Sequence, residues 1–190
     1  MNYIKRNLEK VVNQVTKEYP VVLVTGPRQV GKTTMLQKLM EGTDRGYVTL
    51  DVLNERNIAK TDPELFLQLH KPPVLIDEVQ YAPEPFTYIK MHVDKNHEPG
   101  SFWLTGSQVF KLMRGVQESL AGRVAVLSLT SLSQAEISGG VMEPFVVDME
   151  ALSARKDGRK QADAREIFER IYKGSMPAIA SGANSNSQIF

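Results

Sequence analysis

Five short apolar runs punctuate the chain: residues 21–26 (VVLVTG), 47–51 (YVTLD), 73–78 (PVLIDE), 101–107 (SFWLTGS) and 124–130 (VAVLSLT). Apolar side chains are nearly continuous within each, as in strands covered on both faces, rather than alternating as in half-exposed strands. Segments of about 20 residues separate the runs. That is too long for hairpins and right for crossover connections, so the strands are expected to lie parallel. Ahead of them, Tyr3, Ile4, Leu8, Val11, Val12 and Val15 recur at spacings of three and four, which predicts an amphipathic lead-in helix over residues 3–18 that Pro20 stops. Thr34 to Met40 reads as a further helix after the first strand. The expected fold is a three-layer α/β/α sandwich around a five-stranded parallel sheet.

After Glu136 the pattern lapses. Residues 139–164 mix glycines, charges and short apolar runs and read as a linker or exposed insertion. Ala164, Ile167, Phe168, Ile171 and Tyr172 then return to helical spacing within residues 161–173, a helix that Gly174 to Pro177 would end. The tail SGANSNSQIF is small and polar. The organisation predicted is a core over residues 1–140, followed over residues 141–190 by a linker and the start of a C-terminal helical region.

Composition narrows the functional classes. With 42% hydrophobic and 24% charged residues the chain is of globular type. Lys and Arg number 23 against 22 Asp and Glu, so no global positive field points to nucleic acid or an anionic membrane. The absence of cysteine removes disulfides, cysteine-based zinc sites and thiol nucleophiles, and suits a reducing compartment. The N-terminal MNYIKRNLEK lacks the apolar stretch of a signal peptide and no window approaches 18 uninterrupted apolar residues, so a cytoplasmic location and no membrane partner are expected. His70, His92 and His97 have no metal-ligand spacing and are expected at the surface, whereas Trp103, inside an apolar run, is expected in the core.

The strongest chemical signal is GPRQVGKT, made by Gly26, Pro27, Arg28, Gln29, Val30, Gly31, Lys32 and Thr33, with Thr34 following. It lies between a strand and a helix, where a phosphate-binding loop must lie: glycines let backbone N–H groups approach polyphosphate, and the helix N-terminus faces the anion. Lys32, read as a solvent-facing ligand, would bridge the β- and γ-phosphates, and the Thr33 hydroxyl would hold Mg²⁺. At the end of the third run Asp77 is assigned to the metal and Glu78 to the attacking water; the alternative is an acidic pair that solvates a turn or caps a helix. Ser107, with Thr105 in reserve, could touch γ-phosphate or water, or could merely satisfy a local turn. Arg123, just before the fifth run, suits the charge that develops on a transferring phosphoryl group if a neighbouring subunit receives it, and suits a rim ion pair equally well. Arg28 reads as facing solvent.

The ordered set GPRQVGKTT, VLIDEVQ, FWLTGSQ, SLAGRVAVLSL and SQAEI resembles the AAA+ superfamily, in particular a prokaryotic family with a GPRQ-type phosphate loop, over about residues 3–138. The resemblance implies strand order 5-1-4-3-2, Walker A at Gly26 to Thr33 and Walker B at Asp77 and Glu78. It also implies Ser107 as sensor 1 and Arg123 as the arginine finger; sensor 2 is unassigned, Arg165 and Arg170 each reading either as that residue or as a solvated charge on an amphipathic helix. The activity implied is hydrolysis of ATP to ADP with Mg²⁺, with a homo-oligomer as the partner that would share Arg123. KGSMPAIASG, residues 173–182, is similar to the segment that leads into such families' second C-terminal domain, Ser175 replacing a glycine, so the chain is expected to be a fragment or a truncated product. Two competitors remain: a nucleotide-gated switch with little turnover, and a P-loop kinase, against which the adjacent Glu78 and the intervening strand argue.

Overall fold

β1 (Val21–Thr25), β2 (Gly46–Thr49), β3 (Val74–Asp77), β4 (Phe102–Gly106) and β5 (Val124–Ser128) form one sheet in the order β2-β3-β4-β1-β5, every pair parallel. This is the α/β architecture and the strand order that the resemblance implies. The computed structural model describes residues 3–107, 116, 119–140, 146–157 and 162–182. Within the chain, Leu8–Thr130 makes one unit and the described residues among 1–7 and 131–190 make another.

All residues of β1, β3 and β4 are buried, as continuous apolar runs require. The two edge strands depart from that expectation: Tyr47 of β2 and Val126 of β5 are each 41% exposed, because an edge strand has a neighbour on one side only and loses cross-strand cover. Crossovers run through α2 (Lys32–Met40), α3 (Leu53–Thr61), α4 (Pro63–Leu69) and α5 (Pro85–Asn96). The segment between β2 and β3 becomes two helices because Pro63 opens a new one and Asp62 caps it, accepting from the Leu65 N–H at 2.9 Å. Phe66 of α4 and Phe86, Ile89 and Val93 of α5 pack with Val21, Leu23, Ile76 and Leu104 in the core. Each large side chain so buried contributes about 1.5–3 kcal/mol.

Trp103 is core, its Nε1 donating to Thr16 Oγ1 at 3.0 Å and its ring 4.0 Å from the Arg45 guanidinium. Burial lowers the Arg45 pKa to about 10. The histidines correct the surface assignment in part: His70 lies half-buried between Phe66 and Glu55, with Nε2 2.7 Å from Glu55 Oε2, and His92 meets Phe102 edge-on, while His97 is exposed.

The lead-in helix is shorter than its periodicity, with α1 covering Leu8–Val15. Residues 3–7 stay outside it because the Asn7 N–H donates to Glu136 Oε1 at 2.7 Å and Arg6 Nε reaches the same oxygen at 3.2 Å. Those bonds belong to the second unit, where Glu136 sits in α6 (Gln134–Ile137). There it forms a reciprocal capping box with Ser133. Within the expected linker the structure places a helix, α7 (Met149–Asp157). Its residues are mostly good helix formers, and Asp148 accepts from the Ala151 N–H at 2.8 Å. α8 (Ala164–Lys173) is the expected late helix, capped by Asp163 and ended at Gly174, and α9 (Pro177–Ala180) follows. Residues 141–145, 158–161 and the tail from 183 lie outside the described residues. No helix among the described residues is long and apolar enough to cross a membrane.

Burial would raise the Glu136 pKa, but the bonds from Ser133 and Asn7 and the charge of Arg6 outweigh it and hold the carboxyl below its ordinary value. Such a group stabilises above the unfolded pKa and loses that contribution as pH falls through its lower folded value. Glu136→Gln is therefore expected to cost about 1–3 kcal/mol at pH 7. Thermal melts should show the difference from wild type closing on acidification through that window.

Candidate functional site

Because all five strands run the same way, their C-terminal ends form one edge, where Thr25 is level with Gly106 and Thr49 with Asp77. Ligands of open α/β sheets bind at such edges. From β1 the chain enters the Gly26–Thr33 loop at Gly26, whose φ of 142° and position leave no room for a side chain: a Cβ would stand 2.0 Å from the Leu129 carbonyl oxygen. Gln29 and Gly31 also take positive φ, 65° and 90°. Backbone of this kind lets successive N–H groups converge on an anion. Val30 is buried and anchors the loop, while Pro27, Arg28 and Gln29 are exposed. Gly31 caps α2, whose N-terminus adds its dipole on the same side.

Lys32 corrects the solvent-facing reading. It is 5% exposed, and its Nζ donates to the Gly26 and Pro27 carbonyls at 3.0 and 2.8 Å, so the ammonium is folded into the loop. Burial pushes its pKa below the usual lysine range, Glu78 and Asp77 oppose that, and Arg28 reinforces it. The adjacent Thr33 Oγ1 donates to Asp77 Oδ1 at 2.7 Å, and Thr34 is exposed on the first turn of α2. Asp77 is buried at the end of β3 and also accepts from Thr105 Oγ1 on Oδ1 and from the Tyr47 hydroxyl on Oδ2 at 3.4 Å. Burial and the Asp77 charge raise the Tyr47 pKa. Thr105, held in reserve on sequence grounds, is fully buried on β4 and serves both acids: its hydroxyl oxygen accepts from the Glu78 N–H at 3.2 Å while donating to Asp77.

Glu78 takes left-handed backbone, φ 58°, which aims the chain into the 3₁₀ turn Val79–Tyr81. Its Oε2 accepts from Gln80 Nε2 and, at 3.4 Å, from Ser107 Oγ. Ser107 thus stands with Glu78 rather than with Asp77. Arg28 is exposed, with NH2 3.3 Å from the Tyr81 hydroxyl, and the Arg56 guanidinium lies 4.2 Å from the Tyr81 ring.

Arg123 is not brought to this edge. It directly precedes β5 and its carbonyl accepts from the Val21 N–H, so it lies where the strands begin. There it pairs bidentately with Asp94 of α5 through Nε and NH2. Arg165 and Arg170 are exposed on α8, Arg165 facing Glu169 at 3.4 Å. Sequence reasoning missed Gln80, Tyr47 and Tyr81: Gln80 closes the VLIDEVQ string without a role of its own there, and only the strand order sets Gln80 beside Ser107 and Tyr47 beside Asp77.

The Thr33 hydroxyl and Asp77 carboxylate, in direct contact, are hard oxygen donors of the kind that suits Mg²⁺. The buried ammonium beside them suits the phosphates that such an ion accompanies.

Residues 18–138 match the family model described as an AAA domain. Uncharacterized proteins of Mycobacterium bovis and Mycobacterium tuberculosis are each 34% identical over 125 residues, 65% of this chain but 28% of each relative's length. Among solved structures, the Walker-type ATPase PABY2304 of Pyrococcus abyssi is similar with a TM-score of 0.60 at 14% identity, over 97% of this chain and 69% of that one. AMPPCP-bound DnaA of Aquifex aeolicus gives 0.56 at 15% identity, over 96% and 61%. The RuvB Holliday junction branch migration motor of Thermotoga maritima gives 0.53 at 18%, over 93% and 59%. At these identities the structures share the fold.

Proposed function

The chain belongs to the AAA domain family, and on that premise we propose that it is a cytoplasmic Mg²⁺-dependent ATPase that converts ATP to ADP and phosphate. The observation that carries this reading is the convergence at one sheet edge of the Lys32 ammonium, the Thr33–Asp77 contact and Glu78. Lys32 turns from the Gly26 and Pro27 carbonyls to the β- and γ-phosphates, while the loop backbone from Pro27 to Thr34 cradles them. Thr33 and Asp77 would hold Mg²⁺, which when bound supplies charge neutralisation for the phosphates. Thr105 fixes the Asp77 carboxylate and the Glu78 backbone together. Glu78 then takes the proton of the attacking water, and Ser107 marks the γ-phosphate position from β4. Arg123 acts only on a neighbouring copy, in a homo-oligomer.

The place of Arg123 at the start of β5, away from its own phosphate loop, supports slow turnover in the isolated chain, so binding and hydrolysis have to be measured separately. A switch would bind without turning over, and a kinase would release ADP faster when offered a small acceptor. Lys32→Ala is the primary test. It is expected to lower ATP affinity by about 10²-fold, since a charge-assisted contact is lost, and to cost about 1–2 kcal/mol of stability for the two loop bonds. Unchanged affinity by calorimetry would remove Lys32 from the phosphate site.

A further inference from the structure

We infer that Gln80 is a positioning residue for Glu78, coupling the carboxylate that activates water to Ser107 just past the end of β4; this rests on the ATPase reading above. Gln80 lies in the turn that follows β3. Its side-chain nitrogen donates to Glu78 Oε2 and, at 3.3 Å, to Ser107 Oγ, while its side-chain oxygen accepts from the Ser107 N–H at 3.3 Å. Ser107 Oγ closes the ring by donating to Glu78 Oε2 at 3.4 Å. A planar amide is suited to this place because it offers donors and an acceptor in a fixed relation. A carboxylate could not donate to Glu78, and an aliphatic side chain could do neither.

Two consequences follow for the chemistry. Engaging Oε2 orients the whole planar carboxylate, so the direction of Oε1 toward a water is set as well. Because the amide grips both the backbone and the hydroxyl of Ser107, a shift at the end of β4 reaches Glu78 through Gln80. The coupling spans β3 and β4, which are adjacent in the sheet and far apart in the chain.

The test measures MgATP affinity and single-turnover hydrolysis for wild type, Gln80→Ala, the isosteric Gln80→Glu, Glu78→Gln and the double variant Glu78→Gln with Gln80→Ala. Both single changes at Gln80 are expected to lower the hydrolysis rate about 10-fold or more while affinity stays within about twofold. Adding Gln80→Ala to Glu78→Gln should cost nothing further, because residues that act through one group are not additive. A full wild-type rate in both Gln80 variants overturns the role. So does the same fractional loss in both backgrounds, or an equal loss of affinity, since either marks a merely structural effect. Wild-type protein that binds MgATP and never hydrolyses it overturns the ATPase reading itself, and the role with it.

Discussion

Arg123→Ala is expected to lower ATP turnover by roughly 10³- to 10⁵-fold and to regain it when mixed with Glu78→Gln protein. The structure gives this expectation its geometry. Arg123 stands at the beginning of β5, whereas the phosphate loop follows the end of β1, and a five-residue strand spans about 17 Å. The guanidinium of one chain is therefore presented away from its own phosphate loop, which is where a residue given to a neighbour has to be. Its bidentate partner Asp94, whose carboxyl is held below the usual range by that bond, is itself exposed. Exposed pairs contribute little to stability, so releasing Arg123 to a neighbour costs little. In the mixture an Arg123→Ala subunit keeps its own Glu78 and borrows the guanidinium of a Glu78→Gln neighbour. Activity per subunit that is independent of protein concentration, with no recovery on mixing, would reduce Arg123 to a rim ion pair.

For Glu78→Gln alone, hydrolysis should fall by about 10²-fold or more while ATP binds as in wild type. The substitution preserves size and can still accept the bond from Gln80, but it removes the basicity that the proposed role in activating water requires. Asp77, Thr33 and Lys32 remain in place, since Thr105 and not Glu78 supports Asp77. Measuring affinity and single-turnover rate side by side separates the outcomes. A parallel loss of both would mean that Glu78 acts in the ground state, as a structural or metal-orienting group.

Much of the site was legible because it is local in the chain. The phosphate loop is one continuous segment whose glycines, lysine and threonine stand in fixed order between a strand and a helix. Gly26 shows why the order is strict, since its Cβ would collide with the Leu129 carbonyl. Asp77 and Glu78 were legible because they end an apolar run, and the C-terminal end of a parallel strand is where a polar side chain can reach the ligand edge of the sheet. Lys32 was misread because exposure is not a local property: the loop closes over the ammonium and its own carbonyls receive it. The helix at Met149–Asp157 was overlooked because its polar residues carry no apolar period, although helix propensity and the Asp148 cap favour it.

Five parallel strands, their crossover connections and the loop Gly26–Thr33 could be read along the chain, since apolar continuity, segment length and a contiguous motif are all written along one dimension. That Thr105 joins Asp77 to Glu78, that Gln80 and Ser107 meet over one carboxylate oxygen, and that Arg123 faces Asp94 follow from the folded chain alone. Each of those contacts joins residues brought together by strand order or helix packing, and a side-chain hydrogen bond has neither the period nor the composition that would mark it in the chain.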